Sequence, residues 1–146
     1  MAEPAITQPT TMVGSTQRRR APTVVTAAVG AFLVWAVVEL GFGYDLQAPA
    51  MGDSPAMDIG LWEVLAASLG TGLLAWAVLA VVERWTSRPR LTWTVLAVVA
   101  FVVSLGGPLG GAGVEVTTRG LLVVLHLAVA AILIPGLAAT LPRTGR

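Results

Sequence analysis

The chain contains no cysteine, no lysine and a single histidine. Without Cys there is no disulfide, no thiolate nucleophile and no thiolate-held metal or cluster, and the redox compartment leaves no trace in the sequence. A lone His excludes HExxH and other paired-His metal motifs, and the absence of Lys excludes the GxxxxGK[ST] phosphate loop. Charge is scarce as well. Only 12% of residues are charged against 55% hydrophobic, with a formal net charge of +1 over 146 residues and a mean hydropathy of +0.80. That balance excludes an ordinary soluble domain and describes an integral membrane protein. The length suits four spans of about 20 residues with short loops. Nothing in it calls for a cofactor, a catalytic site or a nucleic-acid partner; the expected surroundings are the lipid bilayer.

What is present is a series of apolar runs. Residues 120–141 carry no charge and are bracketed by Arg119 and Arg143; at about 1.5 Å per residue they reach roughly 33 Å, enough to cross a hydrocarbon core of about 30 Å. Similar runs at 23–42, 59–82 and 91–111 give four expected spans. The expected fold is therefore all-α, an antiparallel up-down bundle of four transmembrane helices over residues 21–142, with a disordered tail over 1–20 and a short tail over 143–146. The tail assignment rests on Thr, Gln and Pro without apolar periodicity. Arg18, Arg19 and Arg20 ahead of an apolar run also describe a signal peptide, but the run exceeds an apolar signal region and carries Glu39. Between the first two spans, Asp45, Asp53 and Asp58 with Pro and Gly read as an irregular acidic loop. The run from Ser104 to Gly113 is Gly-rich and contains Pro108, which marks a break or packed turn at the end of the third span.

Arginine placement sets the expected orientation. Eight Arg (18, 19, 20, 84, 88, 90, 143 and 146) flank one side and Arg119 alone flanks the other. By the positive-inside rule both termini are cytoplasmic and the acidic loop is outside, in a multi-pass protein of the plasma membrane. Trp85 and Trp93 then fall at the inner interface and Trp62 at the outer one.

Three polar residues lie within the outer half of the spans. Glu39 and Glu63 are each about four residues, roughly 6 Å, from an outer helix end, and His126 is roughly 10 Å inside Arg119. The bland readings are interfacial carboxylates touching water and a His that donates to a neighbouring helix; the functional reading is a proton or cation site. Ser104, with no triad neighbour, is a helix-packing serine. In the second span, Ala66 with Gly70 and Ser68 with Gly72 form small-xxx-small pairs, which make this helix the expected packing centre. Glu63 shares a face with Ala66 and Gly70, so it is expected to point inward, toward His126.

Several pieces of sequence carry a resemblance. A Trp-containing first span that exits through Glu39-Leu40-Gly41-Phe42-Gly43, the run Ser104-Leu105-Gly106-Gly107-Pro108-Leu109, and Leu125-His126-Leu127 ahead of Ile134-Pro135 resemble an uncharacterised actinobacterial membrane-protein family, domain of unknown function 6069, over about residues 21–141. The resemblance implies a four-helix inner-membrane protein and brings no activity with it. Two functional classes follow from the residues. One is a structural or interaction subunit that assembles with itself or with another membrane protein through small-residue stripes. The other is an oligomeric transporter or ion-handling protein with Glu39, Glu63 and His126 at an outer vestibule. Four short helices enclose little volume, so the first class leads.

Overall fold

The computed structural model describes residues 11–50, 52–110 and 112–141, with side chains from Arg19 onward. The tail expected over residues 1–10 and the one over 143–146 lie outside the described residues. Helix α1 (Thr11–Ala36) passes into a π-helical turn (Val37–Gly41), and helix α2 (Leu61–Trp85) follows the acidic loop. Helix α3 (Pro89–Ser104) begins with proline in its first turn, where the missing N–H costs nothing. It continues across Leu105 into the short α4 (Gly106–Gly110), and α5 (Val116–Ala138) completes the chain. Four segments are long and apolar enough to cross a membrane: Arg19–Gly41, Leu61–Trp85, Pro89–Gly110 and Val116–Ala138. The Gly-rich run therefore interrupts the third span by one residue and leaves it long enough to cross.

The expected tail over residues 11–20 is instead the first part of α1. At the end of this polar stretch Arg20 is not a free surface charge. Its Nη2 lies 2.6 Å from Glu83 Oε1 at the end of α2, and its Nε–H donates to Thr140 Oγ1, 3.2 Å away, just beyond α5. Three spans are thus fastened at one end. Nη2 is buried and approaches Glu83 as a charge contact, without an aligned hydrogen bond.

Helix α1 is the packing centre, not α2, since it packs most extensively against both α5 and α2 while α3 leans on α5. In lipid the gain comes from close van der Waals contact rather than hydrophobic burial, so small residues decide where backbones meet. A Cβ on Gly72 of α2 would stand 2.6 Å from Val24 Cγ1, and one on Gly136 of α5 would stand 2.5 Å from Thr23 Cγ2. Neither position accepts a larger residue without moving α1. The core divides into a group around Leu79, Trp93 and Leu137 and a second group around Trp35, Leu46 and Leu122.

The acidic loop is more ordered than its composition suggested. Strands β1 (Gln47–Ala48) and β2 (Met57–Asp58) pair antiparallel, and Gln47 Nε2 donates to Asp58 Oδ1 at 2.9 Å. Ala50 exchanges backbone hydrogen bonds with Ala112, which joins this hairpin to the loop before α5. Trp35 Nε1–H donates to Ile59 O at 3.1 Å and anchors the hairpin to α1. Trp62 and Trp85 are highly exposed, whereas Trp93, expected at an interface, is buried and donates its Nε1–H to Ile134 O at 3.1 Å. An indole pointed inward needs such an acceptor, and the carbonyl one residue before Pro135 supplies it.

Candidate functional site: a groove between three spans

On α2 the buried residues Val64, Ser68, Gly72, Leu79 and Val82 form one stripe. At about 100° per residue, Glu63, Ala66 and Gly70 lie together roughly 100–160° away from it. Their shared face was legible; its direction was not. All three are exposed, a Cβ on Gly70 would meet nothing within 4 Å, and the Glu63 carboxylate folds back toward Gly60, with Oε2 3.0 Å from where a Cβ would stand there. The two small-residue pairs therefore part company. Ser68 and Gly72 pack inside the bundle, while Ala66 and Gly70 face away from it, because an offset of two residues turns about 200° around the helix.

Beside the buried stripe, α2, α3 and α5 stand apart and leave a groove of about 320 Å³ that is open along one side. Its walls are largely apolar, with Leu74, Val78, Leu96, Leu133 and Trp93. Its polar residues are Ser68 and Thr71 on α2, Ser104 on α3 and His126 on α5. Counted from the helix ends nearest the loop that carries Asp45 and Asp58, Ser68, Ser104 and His126 are roughly 9–15 Å deep, all in the same half of their spans.

The hydrogens at this level are largely committed. Ser68 Oγ donates to Leu65 O at 3.2 Å, and Ser104 Oγ donates to Phe101 O at 2.7 Å. His126 Nδ1 is 2.8 Å from Leu122 O. A carbonyl only accepts, so Nδ1 carries the proton, and in the tautomer that this bond selects Nε2 is left as an acceptor. Thr71, exposed on the α2 wall, adds a hydroxyl that can donate or accept. The site thus presents acceptors in an apolar channel, with no carboxylate among its lining residues.

The expected trio of Glu39, Glu63 and His126 is not brought together. His126 pairs with its own helix, Glu63 turns outward, and Glu39 sits in the π turn near Asp45 and Asp58, with the Leu46 N–H directed at its carboxylate. Among the described residues no group of three His, Cys, Asp or Glu is arranged to hold a metal ion.

A model for a family of unknown function (DUF6069) matches residues 11–143. The chain belongs to this family. No curated protein and no solved structure matches it. The DUF6069 match starts where α1 starts and takes in all four spans and the whole groove. Both sequence pieces that carried most of the resemblance contribute to the groove: Ser104 from Ser-x-x-x-Pro and His126 from Leu-His. Two features escaped the reading of the sequence. The groove arises from the spread of helices and leaves no local pattern, whereas the Arg20 contact did leave a signal: an Arg closing a basic run, facing Glu83 at the inner end of the second span.

Proposed function

We propose that this DUF6069 protein is a small non-enzymatic subunit of the plasma membrane, with both termini cytoplasmic, that assembles with a copy of itself or another membrane protein through the outward face of α2. One observation carries the reading: Glu63, Ala66 and Gly70 point away from the protein's own bundle. A carboxylate some 3 Å into the span and two small residues below it suit a close helix partner better than lipid. The third span supports the same reading, since 11% of its most apolar window is buried inside the protomer, against 33% for the first. The orientation rests on the Arg asymmetry, with Arg20, Glu83 and Arg84 at the common inner end and Arg119, which donates to Leu109 O, at the other.

The ion-handling alternative has less support, because neither Glu39 nor Glu63 lines the groove that His126 lines. Mass measurement of the 15.1 kDa chain in mild detergent tests the assembly. The wild type should run as a dimer or larger complex and Gly70→Leu as a monomer of unchanged thermal stability. A monomeric wild type that recovers no partner from native membranes would refute the proposal.

A further inference from the structure

The groove between α2, α3 and α5 has the dimensions and the chemistry of a ligand site, independent of the face that α2 turns outward. From Val64 to Val78 its α2 wall runs about 21 Å. A volume of about 320 Å³ along that length suits a single extended chain. The volume also falls at the lower end of the range of about 300–1,000 Å³ typical of small-molecule sites.

The polar level selects the head group. Ser68, Ser104 and His126 have each given their hydrogen to a carbonyl of their own helix, so they offer a ligand oxygen lone pairs and Nε2. Thr71 adds a hydroxyl that can donate or accept. The fitting head therefore carries a hydrogen-bond donor. An ammonium would donate, but no carboxylate lines the groove to balance its charge, and a buried unpaired charge is costly. An ionised carboxylate accepts only and would face lone pairs. A neutral hydroxyl satisfies both conditions.

We propose that the groove binds a neutral, hydroxyl-headed, single-chain molecule from the lipid phase, with its hydroxyl donating to His126 Nε2 beside Ser68 and Ser104 and its chain running between α2, α3 and α5 toward Trp93. The outer half of the groove fixes the head and the inner half holds the chain.

The test is photolabelling of the full-length protein in lipid vesicles with a diazirine-bearing hexadecanol, in competition with unlabelled hexadecanol, hexadecylamine or palmitate. The label should map to the α3 and α5 segments and be displaced by hexadecanol at concentrations where the amine and the acid have little effect. His126→Leu removes the acceptor and should weaken labelling about tenfold, the loss of one hydrogen bond at roughly 1.4 kcal/mol. His126→Gln keeps an acceptor and should retain most of it. Ala100→Phe should block the channel and abolish labelling. Equal competition by all three amphiphiles, stronger competition by the amine or the acid, or undiminished labelling of His126→Leu would each overturn the proposal. So would a disulfide between two Ala100→Cys copies, which would put a protein in the groove. Should a variant fail to fold, the three-way competition on the wild-type chain decides the question alone.

Discussion

Glu83→Ala should destabilise the bundle more than any other single change at its inner end. The substitution leaves the Arg20 guanidinium, whose side chain is 4% exposed, without the carboxylate 2.6 Å from it. Removing one partner of a buried pair costs about 3–5 kcal/mol, because the remaining charge stays desolvated. Glu83 is 27% exposed, so water or headgroups reach the vacated place and the low end, about 3 kcal/mol, applies. For a chain of this size that corresponds to roughly 10 °C in thermal midpoint. Thr140→Ala removes the acceptor of the Arg20 Nε–H and should cost about 1 kcal/mol. The pair itself is a different matter. Arg20→Met with Glu83→Met removes both charges together and should lie close to the wild type, since an apolar replacement of a buried ion pair is often neutral. The assay is a thermal scan in detergent of the wild type, Arg20→Met, Glu83→Met and the double variant, read as a double-mutant cycle, with Glu83→Ala scanned beside them. A Glu83→Ala midpoint within about 2 °C of the wild type, or a double variant as unstable as the singles, would refute the claim that this contact fastens α1 to α2.

Three further outcomes follow from the packing and the orientation. Gly72→Leu should destabilise the protomer by about 1–3 kcal/mol in the same scan, through overpacking against Val24, whereas Gly70→Leu, with open space beside it, should leave the midpoint unchanged. Trp93→Phe should cost about 1 kcal/mol through the lost bond to Ile134 O, and a neutral result would mean that the indole N–H does not need that carbonyl. In intact cells an impermeant thiol reagent should label Asp53→Cys and spare Arg88→Cys, with the chain's lack of cysteine making the background clean; the reverse pattern would invert the orientation.

The four spans were legible because each is a long apolar run bounded by charge or by Gly and Pro, and in lipid only a helix satisfies the backbone of such a run. Their ends were less so. Residues 11–20 read as tail because nothing local shows that Arg20 meets Glu83, a contact that exists only once α1 and α2 lie side by side. The outer loop read as irregular since a two-residue ladder between residues 47 and 58 leaves no alternation to find. The second span explains the candidate site best. Periodicity correctly grouped Glu63 with Ala66 and Gly70 and separated them from Ser68 and Gly72, but it cannot say which group faces the bundle when both are small. The stripe that turned inward also contains Val64, Leu79 and Val82, large residues that interlock with α1 and the inner core. His126 was singled out as a polar atom at membrane depth, and the structure puts it on the wall of the groove; its supposed partner Glu63 followed the outward face. The groove itself depends on the spacing between three helices, a quantity that no single segment encodes.

The outward face of α2 is tested most directly by oxidative crosslinking in native membranes. Ala66→Cys places a thiol on that face and should form a disulfide-linked product, either twice the chain's mass or a complex with a second membrane protein that carries a thiol. Ser68→Cys, two residues away and buried inside the bundle, should not. Crosslinking at position 68 with none at 66, or at neither position, would contradict assembly through this face.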